Sequence, residues 1–411
     1  MKFVERDIQK EIEKWINNKE ILVIRGPRQS GKTTLLYQIT KLLKKKRIKK
    51  EKIHFISLED ELEKEKFEKN PKVYIEYYLS GDKNKHFFLL DEVQYMKNAG
   101  KLLKLIYDSI KNIKIIITGS STLDINEISS YLVGRALFFE LRPFSFEEFL
   151  KTKDVKDYEY YKKNKFSLKS RYSPNLLFLE KLNLYLREYI SYGGYPSVVL
   201  EKSLDKKKFL LKNLFLTYIE KDIVKVYGIR YKQRIIDLIR VLSSLNASIV
   251  NYNEICSITN FYYKELKEVI SILEDTYIIK VIKPFHKNLV SEVRKNPKIY
   301  FIDTGLRNFI TGRFDFSEDE FGKLLETYVL NQIKEEVKYW RTTAKAEVDF
   351  ILISKTIPIE VKMNYKITRA IRSFILKYKP ENAFVINLNS FLKTKINNTI
   401  IFIVPASLFS P

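Results

Sequence analysis

The sequence predicts an α/β fold: a parallel-sheet domain at the N-terminus, a helical region that carries a small helix-and-strand module, and a small α/β domain at the C-terminus. Three observations predict it. Short apolar runs rich in Ile, Val, Leu and Phe recur through residues 21–120 with helical patterns between them, the arrangement that covers a parallel sheet with helices on both faces. Residues 232–302 change to three amphipathic helices and two strands. From residue 320 a helix leads into strands, a second helix and further strands. The boundaries this suggests are 1–150, 151–230, 231–302 and 303–411.

Val4, Ile8, Ile12, Trp15 and Ile16 fall at helical spacing, so the first twenty residues read as an amphipathic helix. ILVI (21–24) is a short buried strand, and KIHFISL (52–58), HFFLLDE (86–92) and NIKIIITGS (112–120) repeat the pattern. The module closes after ALFFELRPFSFEEFL, near residue 150. KTKDVKDYEYYKKNKFSLKS (151–170) is rich in Lys and Tyr without a clear period. It reads as an exposed basic insertion, either a solvated loop or an arm for nucleic acid. Residues 176–228 look like a helical linker region, broken at SYGGYPSVVL, where Gly-Gly and Pro mark a turn.

RIIDLIRVLSSL is an amphipathic helix, and NYNEICSI is a shorter one with Asn251 or Asn253 as its cap. Leu266, Val269, Ile270 and Leu273 repeat at i, i+3, i+4 and i+7 on a third. TYIIKVIKPF follows as a strand with KIYFI (298–302) as its antiparallel mate. Three helices and a two-stranded wing describe a winged helix, with Lys264 and Lys267 of the third helix facing outward. Such modules either read DNA with that helix or pack against a neighbour. GKLLETYVLNQIKEEV then leads into VKYWRT, AEVDFILIS and TIPIEVKM, the helix ITRAIRSFILKY, and the strands NAFVINL and TIIFIVPASLF.

Composition narrows the classes. Hydrophobic residues make up 45% and charged residues 30%, which fits folded protein and excludes a disordered chain. No apolar run approaches the ~18 residues a membrane span needs. The charged first twenty residues lack a secretory core. A single cysteine, Cys256, excludes an internal disulfide and a Cys-rich zinc site. A cytoplasmic location without a membrane partner is the expectation. The formal charge of +24 favours a polyanionic partner, nucleic acid first, unless it reflects compositional bias alone.

GPRQSGKT, Gly26 to Thr33, fits G-x-x-x-x-G-K-[ST] in full, between an apolar strand and an apolar helix. Gly26 and Gly31 let the backbone curl so that N–H groups face phosphate oxygens, and Pro27, Arg28, Gln29 and Ser30 complete the loop. Arg28 itself is expected to project into solvent. The helix that follows, opening on Lys32, Thr33 and Thr34, adds favourable potential for an anion. Lys32 would reach the β- and γ-phosphates of ATP, and the Thr33 hydroxyl would ligate Mg²⁺. FFLLDEVQ puts Asp91 at a strand tip as second metal holder, and Glu92 beside it to orient and deprotonate the attacking water. Thr118 or Ser120 in IIITGSS would touch the γ-phosphate or that water. Arg135 in VGRALFF, and Arg142 before Pro143, are candidates for a charge-neutralising finger.

A second cluster closes the chain. EVDFIL sets Asp349 inside an apolar strand, and IPIEVK sets Glu360 and Lys362 on one face of the next. Charge in a half-buried strand is costly without a purpose. Asp349 and Glu360 on adjacent strands would share one divalent cation, with Lys362 beside the metal water and Glu326 of the preceding helix completing the shell. Edge strands with solvated charges would show the same letters.

These residues together resemble a family: archaeal and bacterial ATPases of the AAA+/STAND type. Its members join an N-terminal P-loop domain to a winged helix and a C-terminal domain similar to PD-(D/E)xK nucleases. The resemblance covers nearly the whole chain and rests on GPRQSGKTTLL, LLDEVQ, TGSS, Gly134–Arg135, LRPFSFEEFL, GGYP, FIDTGL (301–306), GKLLETYV and EVDF…IPIEVK. It implies ATP binding and hydrolysis, and a nuclease-like core with Glu326, Asp349, Glu360 and Lys362 in its catalytic positions. Val348 stands where that pattern usually has proline, which leaves cleavage open.

The reading that follows is an ATP- and Mg²⁺-dependent ATPase acting on nucleic acid, its nucleotide state gating a nuclease-like C-terminal domain. The competing reading is an ATP-dependent switch or scaffold that binds protein partners through an inactive C-terminal domain, and a third is a regulator that uses only the winged helix. A homo-oligomer fits either of the first two.

Overall fold

Ile21–Arg25 (β1) places Ile, Leu, Val and Ile in succession, all fully buried, which only a strand covered on both faces accommodates. In the computed structural model, which describes residues 3–119, 128–166, 175–224, 231–285 and 295–410, β1 joins four further strands. They are Ile53–Ser57 (β2), His86–Asp91 (β3), Ile113–Gly119 (β4) and Ala136–Glu140 (β5). Their order is β2-β3-β4-β1-β5, every pair parallel. Leu22 and Ile24 face Ile8–Trp15 (α1) and Lys32–Lys45 (α2), packing with Ile12, Leu35 and Ile39. Ile21 and Val23 face the other way, into a core with Phe67 of Glu61–Lys69 (α3), Ile75 of Pro71–Leu79 (α4) and Leu103 of Ala99–Ser109 (α5). This unit comprises the residues up to Phe144 with Asp275–Tyr277, and the remainder forms a second unit.

The second unit opens on a capping box. Ser145 Oγ accepts the Glu148 N–H at 3.1 Å, and Glu148 Oε2 accepts the Ser145 N–H at 3.0 Å, starting Phe146–Leu150 (α6). The Lys- and Tyr-rich stretch expected as an exposed insertion is a helix over Val155–Asn164 (α7); its residues 167–170 lie outside the described residues. The anchors of α7 are polar. Buried Asp157 accepts Lys181 Nζ and Tyr185 Oη, both at 2.8 Å, and Tyr161 packs edge-on against Phe146. A helix pinned by an aspartate and a tyrosine offers no apolar period to read. Leu176–Tyr192 (α8), Pro196–Leu200 (α9) and Leu204–Tyr218 (α10) follow.

Lys232–Ser244 (α11), Tyr252–Thr259 (α12) and Tyr263–Asp275 (α13) share a core of Leu238, Leu242, Ile255, Leu266, Val269 and Leu273. Asn251 caps α12 by accepting the Asn253 N–H at 3.1 Å. Beside them, Ser248–Ile249 (β6), Ile279–Ile282 (β7) and Lys298–Phe301 (β8) form an antiparallel sheet with β8 in the middle. Thr304–Thr311 (α14) and Glu318–Gln332 (α15) lead into a six-stranded sheet. Its members are Val337–Arg341 (β9), Glu347–Leu352 (β10), Ile357–Val361 (β11), Asn382–Asn387 (β12), Leu392–Ile396 (β13) and Thr399–Pro405 (β14), ordered β13-β14-β12-β11-β10-β9. The β9–β10–β11 pairings are antiparallel, and β11, β12 and β14 run parallel. Arg369–Tyr378 (α16) packs Ile371 and Ile375 onto β12 and β14.

GGYP and FIDTGL, distant in sequence, lock into one another. Asp303 is buried and accepts the N–H groups of Gly194 at 2.7 Å and Leu306 at 2.8 Å, capping α14. Gly193 ends α8 at φ 76°, where a Cβ would stand 2.1 Å from Asp303 Oδ1. Gly193→Ala is therefore expected to destabilise the second unit by about 2–5 kcal/mol, combining a left-handed residue with a clash against a fixed carboxylate. Urea denaturation measures it; wild-type stability would contradict this packing.

Candidate functional site

The turn from β1 into α2 is the GPRQSGK loop. Gly31 is its pivot, at φ 96° in the N-cap position of α2, and no side chain caps that helix. A glycine-initiated helix start of this kind suits an anionic ligand. Gly26 passes so close to the Leu141 carbonyl that a Cβ would meet its oxygen at 2.1 Å. Lys32 is buried and donates to the Gly26 and Pro27 carbonyls at 3.1 and 2.9 Å. The Ser30 hydroxyl is fully buried with no hydrogen-bond partner. A buried ammonium, an uncapped helix start and an orphan hydroxyl on one loop match the donor set that a polyphosphate requires. Gln29 and Thr34 are exposed, while Arg28, expected in solvent, is half-buried.

Parallel pairing brings the tips of β3 and β4 to the same end of the sheet. Asp91, at the end of β3, accepts the Thr33 hydroxyl at 2.7 Å and also the Thr118 hydroxyl. Thr118 Oγ1 in turn accepts the Glu92 N–H at 3.0 Å. Burial pushes the Asp91 carboxyl up, and the two hydroxyls pull it back. Glu92 sits at φ 58°, a conformation uncommon outside glycine, with the Gln94 amide on its carboxylate. Thr33, Asp91, Thr118 and Glu92 thus form one linked set; Ser120 lies outside the described residues.

The two arginines separate. Ala136 pairs with Ile21, so Arg135 lies at the end of the sheet opposite the loop, held by Asp108 at 2.9 Å. Arg135 is therefore corrected: strand direction excludes it as a finger for its own chain's loop. Arg142 follows β5 at the loop end and pairs with Glu140. Sequence reasoning missed Arg6, a buried residue that donates to the Ser30 carbonyl at 2.8 Å and the Arg142 carbonyl at 2.6 Å. Its only trace in the sequence is a charge at the edge of an amphipathic helix.

In the second unit, Glu326, Asp349, Glu360 and Lys362 do converge. Asp349 sits where the β9–β10 register shifts between Val348 and Ile351, a bulge that re-aims a side chain. Its Oδ2 accepts the Val361 N–H at 2.8 Å. Lys362 Nζ bridges Asp349 and Glu360 at 3.6 and 3.5 Å, and Thr368 Oγ1 lies 2.7 Å from Glu360 Oε2. Burial pushes Glu360 up to about 7, with Lys362 opposing.

The cation among the other carboxylates is Lys298 of β8, which the sequence reading left as an ordinary strand residue. It is 2% exposed and lies 3.0 Å from Glu326, 2.5 Å from Glu347 and 3.8 Å from Asp349. Tyr300, two residues along the same face, donates to Glu326. Burial pulls Lys298 toward neutrality, but Glu326, Tyr300, Asp349 and Glu347 outweigh it and hold it well above the ordinary lysine value. A lysine inside an apolar strand was the available signal, the same one that singled out Asp349. Among the described residues, no group of three His, Cys, Asp or Glu side chains is arranged to hold a metal ion.

Comparison with known proteins identifies the domain that carries the first site. An AAA domain model matches residues 18–150, and two domains of unknown function (DUF8612 and DUF4143) match 183–317 and 321–409. The chain is 31% identical over 370 residues to the uncharacterized protein MJ1544 of Methanocaldococcus jannaschii, covering 86% of this chain and 76% of that one. It is 28% identical over 300 residues to an uncharacterized protein of Haemophilus influenzae, covering 71% and 70%. Among solved structures, the replication initiator DnaA bound to AMPPCP and single-stranded DNA aligns with 66% of this chain and 90% of that chain, at 14% identity and a TM-score of 0.32, a distant likeness. The chain belongs to the family of MJ1544, with an AAA-type P-loop ATPase domain over residues 18–150.

Proposed function

We propose that this chain is a Mg²⁺-dependent ATPase that acts on nucleic acid, its nucleotide state controlling how a winged helix and a nuclease-like C-terminal core engage their target. The observation that carries it is the linked set of Lys32, Thr33, Asp91, Thr118 and Glu92 at one end of a parallel sheet. The loop N–H groups and Lys32 bind the phosphates. Thr33 and Asp91 would hold Mg²⁺, which would supply charge neutralisation at the phosphoryl oxygens. Thr118 orients Glu92 through its N–H, and Glu92 takes the proton of the attacking water. Arg6 braces the loop, tying the Ser30 carbonyl to that of Arg142.

The α11–α13 bundle with its small sheet supports the winged-helix assignment. Tyr262, Tyr263, Lys264 and Lys267 at the start of α13 are exposed, and the +24 charge favours a phosphate backbone. The helix–antiparallel strands–helix order of α15, β9–β11 and α16, with Asp349, Glu360 and Lys362 on β10 and after, supports the nuclease-like assignment. One observation favours the second reading, a nucleotide-dependent switch whose C-terminal core does not cut: Lys298 already sits among the carboxylates.

Two outcomes test the proposal. Glu92→Gln is expected to lower ATP turnover by roughly 10²–10⁴-fold while leaving nucleotide affinity near wild type; intact turnover would remove Glu92 from the chemistry. DNA affinity, measured against salt, is expected to fall with a log–log slope of about −0.9 per phosphate contact. A flat profile with no DNA bound at low salt would direct the account to protein partners.

A further inference from the structure

We infer that Lys298 is the resident cation of the C-terminal carboxylate cluster, closing it to divalent metal as long as β8 is seated there. The inference rests on the nuclease-like reading of that core and adds to it a reason for the core to exclude metal in this conformation.

Charge and position both argue for it. Four carboxylates, Glu326, Glu347, Asp349 and Glu360, face three cations, Lys298, Lys362 and Arg341, the last 3.6 Å from Glu347. With all four carboxylates ionised, the balance is one negative charge with Lys298 in place and two without it, the charge that a single divalent ion cancels. The ammonium contacts three carboxylates at once, so the space between their oxygens is filled. A hard cation such as Mg²⁺ or Mn²⁺ needs those same oxygens. Lys298 is 2% exposed, and its strand is bonded on both sides, to β6 and β7. Tyr300 of the same strand holds Glu326 from beside it. Withdrawal of β8 as a unit is what would expose the cluster.

The test counts Mn²⁺ bound per chain, by electron paramagnetic resonance without nucleotide, and follows melting temperature with and without Mn²⁺. The proteins are wild type, Lys298→Met, and each of these with Asp349→Asn. Binding at the phosphate loop is common to all four and cancels in the differences. Lys298→Met is expected to bind about one Mn²⁺ more than wild type and to melt higher with Mn²⁺, both effects vanishing with Asp349→Asn. If Lys298→Met does not fold, Lys298→Met/Glu347→Gln removes one charge of each sign and keeps Glu326 and Asp349 for the ion. Asp349-dependent Mn²⁺ on wild type equal to that on the variant would overturn the inference and leave a metal centre standing. No Asp349-dependent Mn²⁺ on either Lys298 variant would overturn it together with the nuclease-like reading.

Discussion

A charge buried in a strand has to be matched within reach, and both candidate sites are organised by that constraint. Leaving a buried carboxylate or ammonium unmatched costs several kcal/mol, and removing one partner of a buried pair costs about 3–5 kcal/mol. In the first unit the constraint is met at Asp91, at the tip of a wholly buried strand, by the hydroxyls of Thr33 and Thr118. That match ties together α2, β3 and β4, the elements that also carry the phosphate loop and Glu92. In the second unit it is met by Lys298 and Lys362 among four carboxylates, tying β8 and α15 to β10 and β11.

What could be read from the sequence follows from range. The phosphate loop is local: its glycines, lysine and threonine lie within eight residues, and their roles follow from backbone geometry. β1, β3 and β4 were legible because each carries an apolar run bounded by polar residues, and a parallel sheet then follows from the helices between them. Asp349, Glu360 and Lys362 were legible because alternation puts polar side chains where apolar ones belong. Asp303 with Gly193 was half legible: both motifs stood out, but no local rule says that a carboxylate at 303 seats a turn at 193.

The misses were long-range or polar. Arg135 looked suitable because it lies near a strand, yet which end of the sheet it occupies is decided by pairing with β1, more than a hundred residues earlier. The helix α7 hid behind its lysines because its buried anchors are Asp157 and Tyr161. Lys298 was passed over because its partners, Glu326, Glu347 and Asp349, come later in the chain on other elements. In each case the deciding contact had no periodic signature.

Everything proposed for the first unit depends on GPRQSGKT holding ATP. The most direct measurement is binding of a fluorescent ATP analogue, with and without Mg²⁺, to wild type and to Lys32→Ala. Mg²⁺-enhanced binding by wild type is expected, with a loss of affinity of at least about tenfold in the variant, equivalent to one charge-assisted phosphate contact of roughly 1.5–3 kcal/mol. Equal binding by the two proteins, or none by folded wild type, would contradict it.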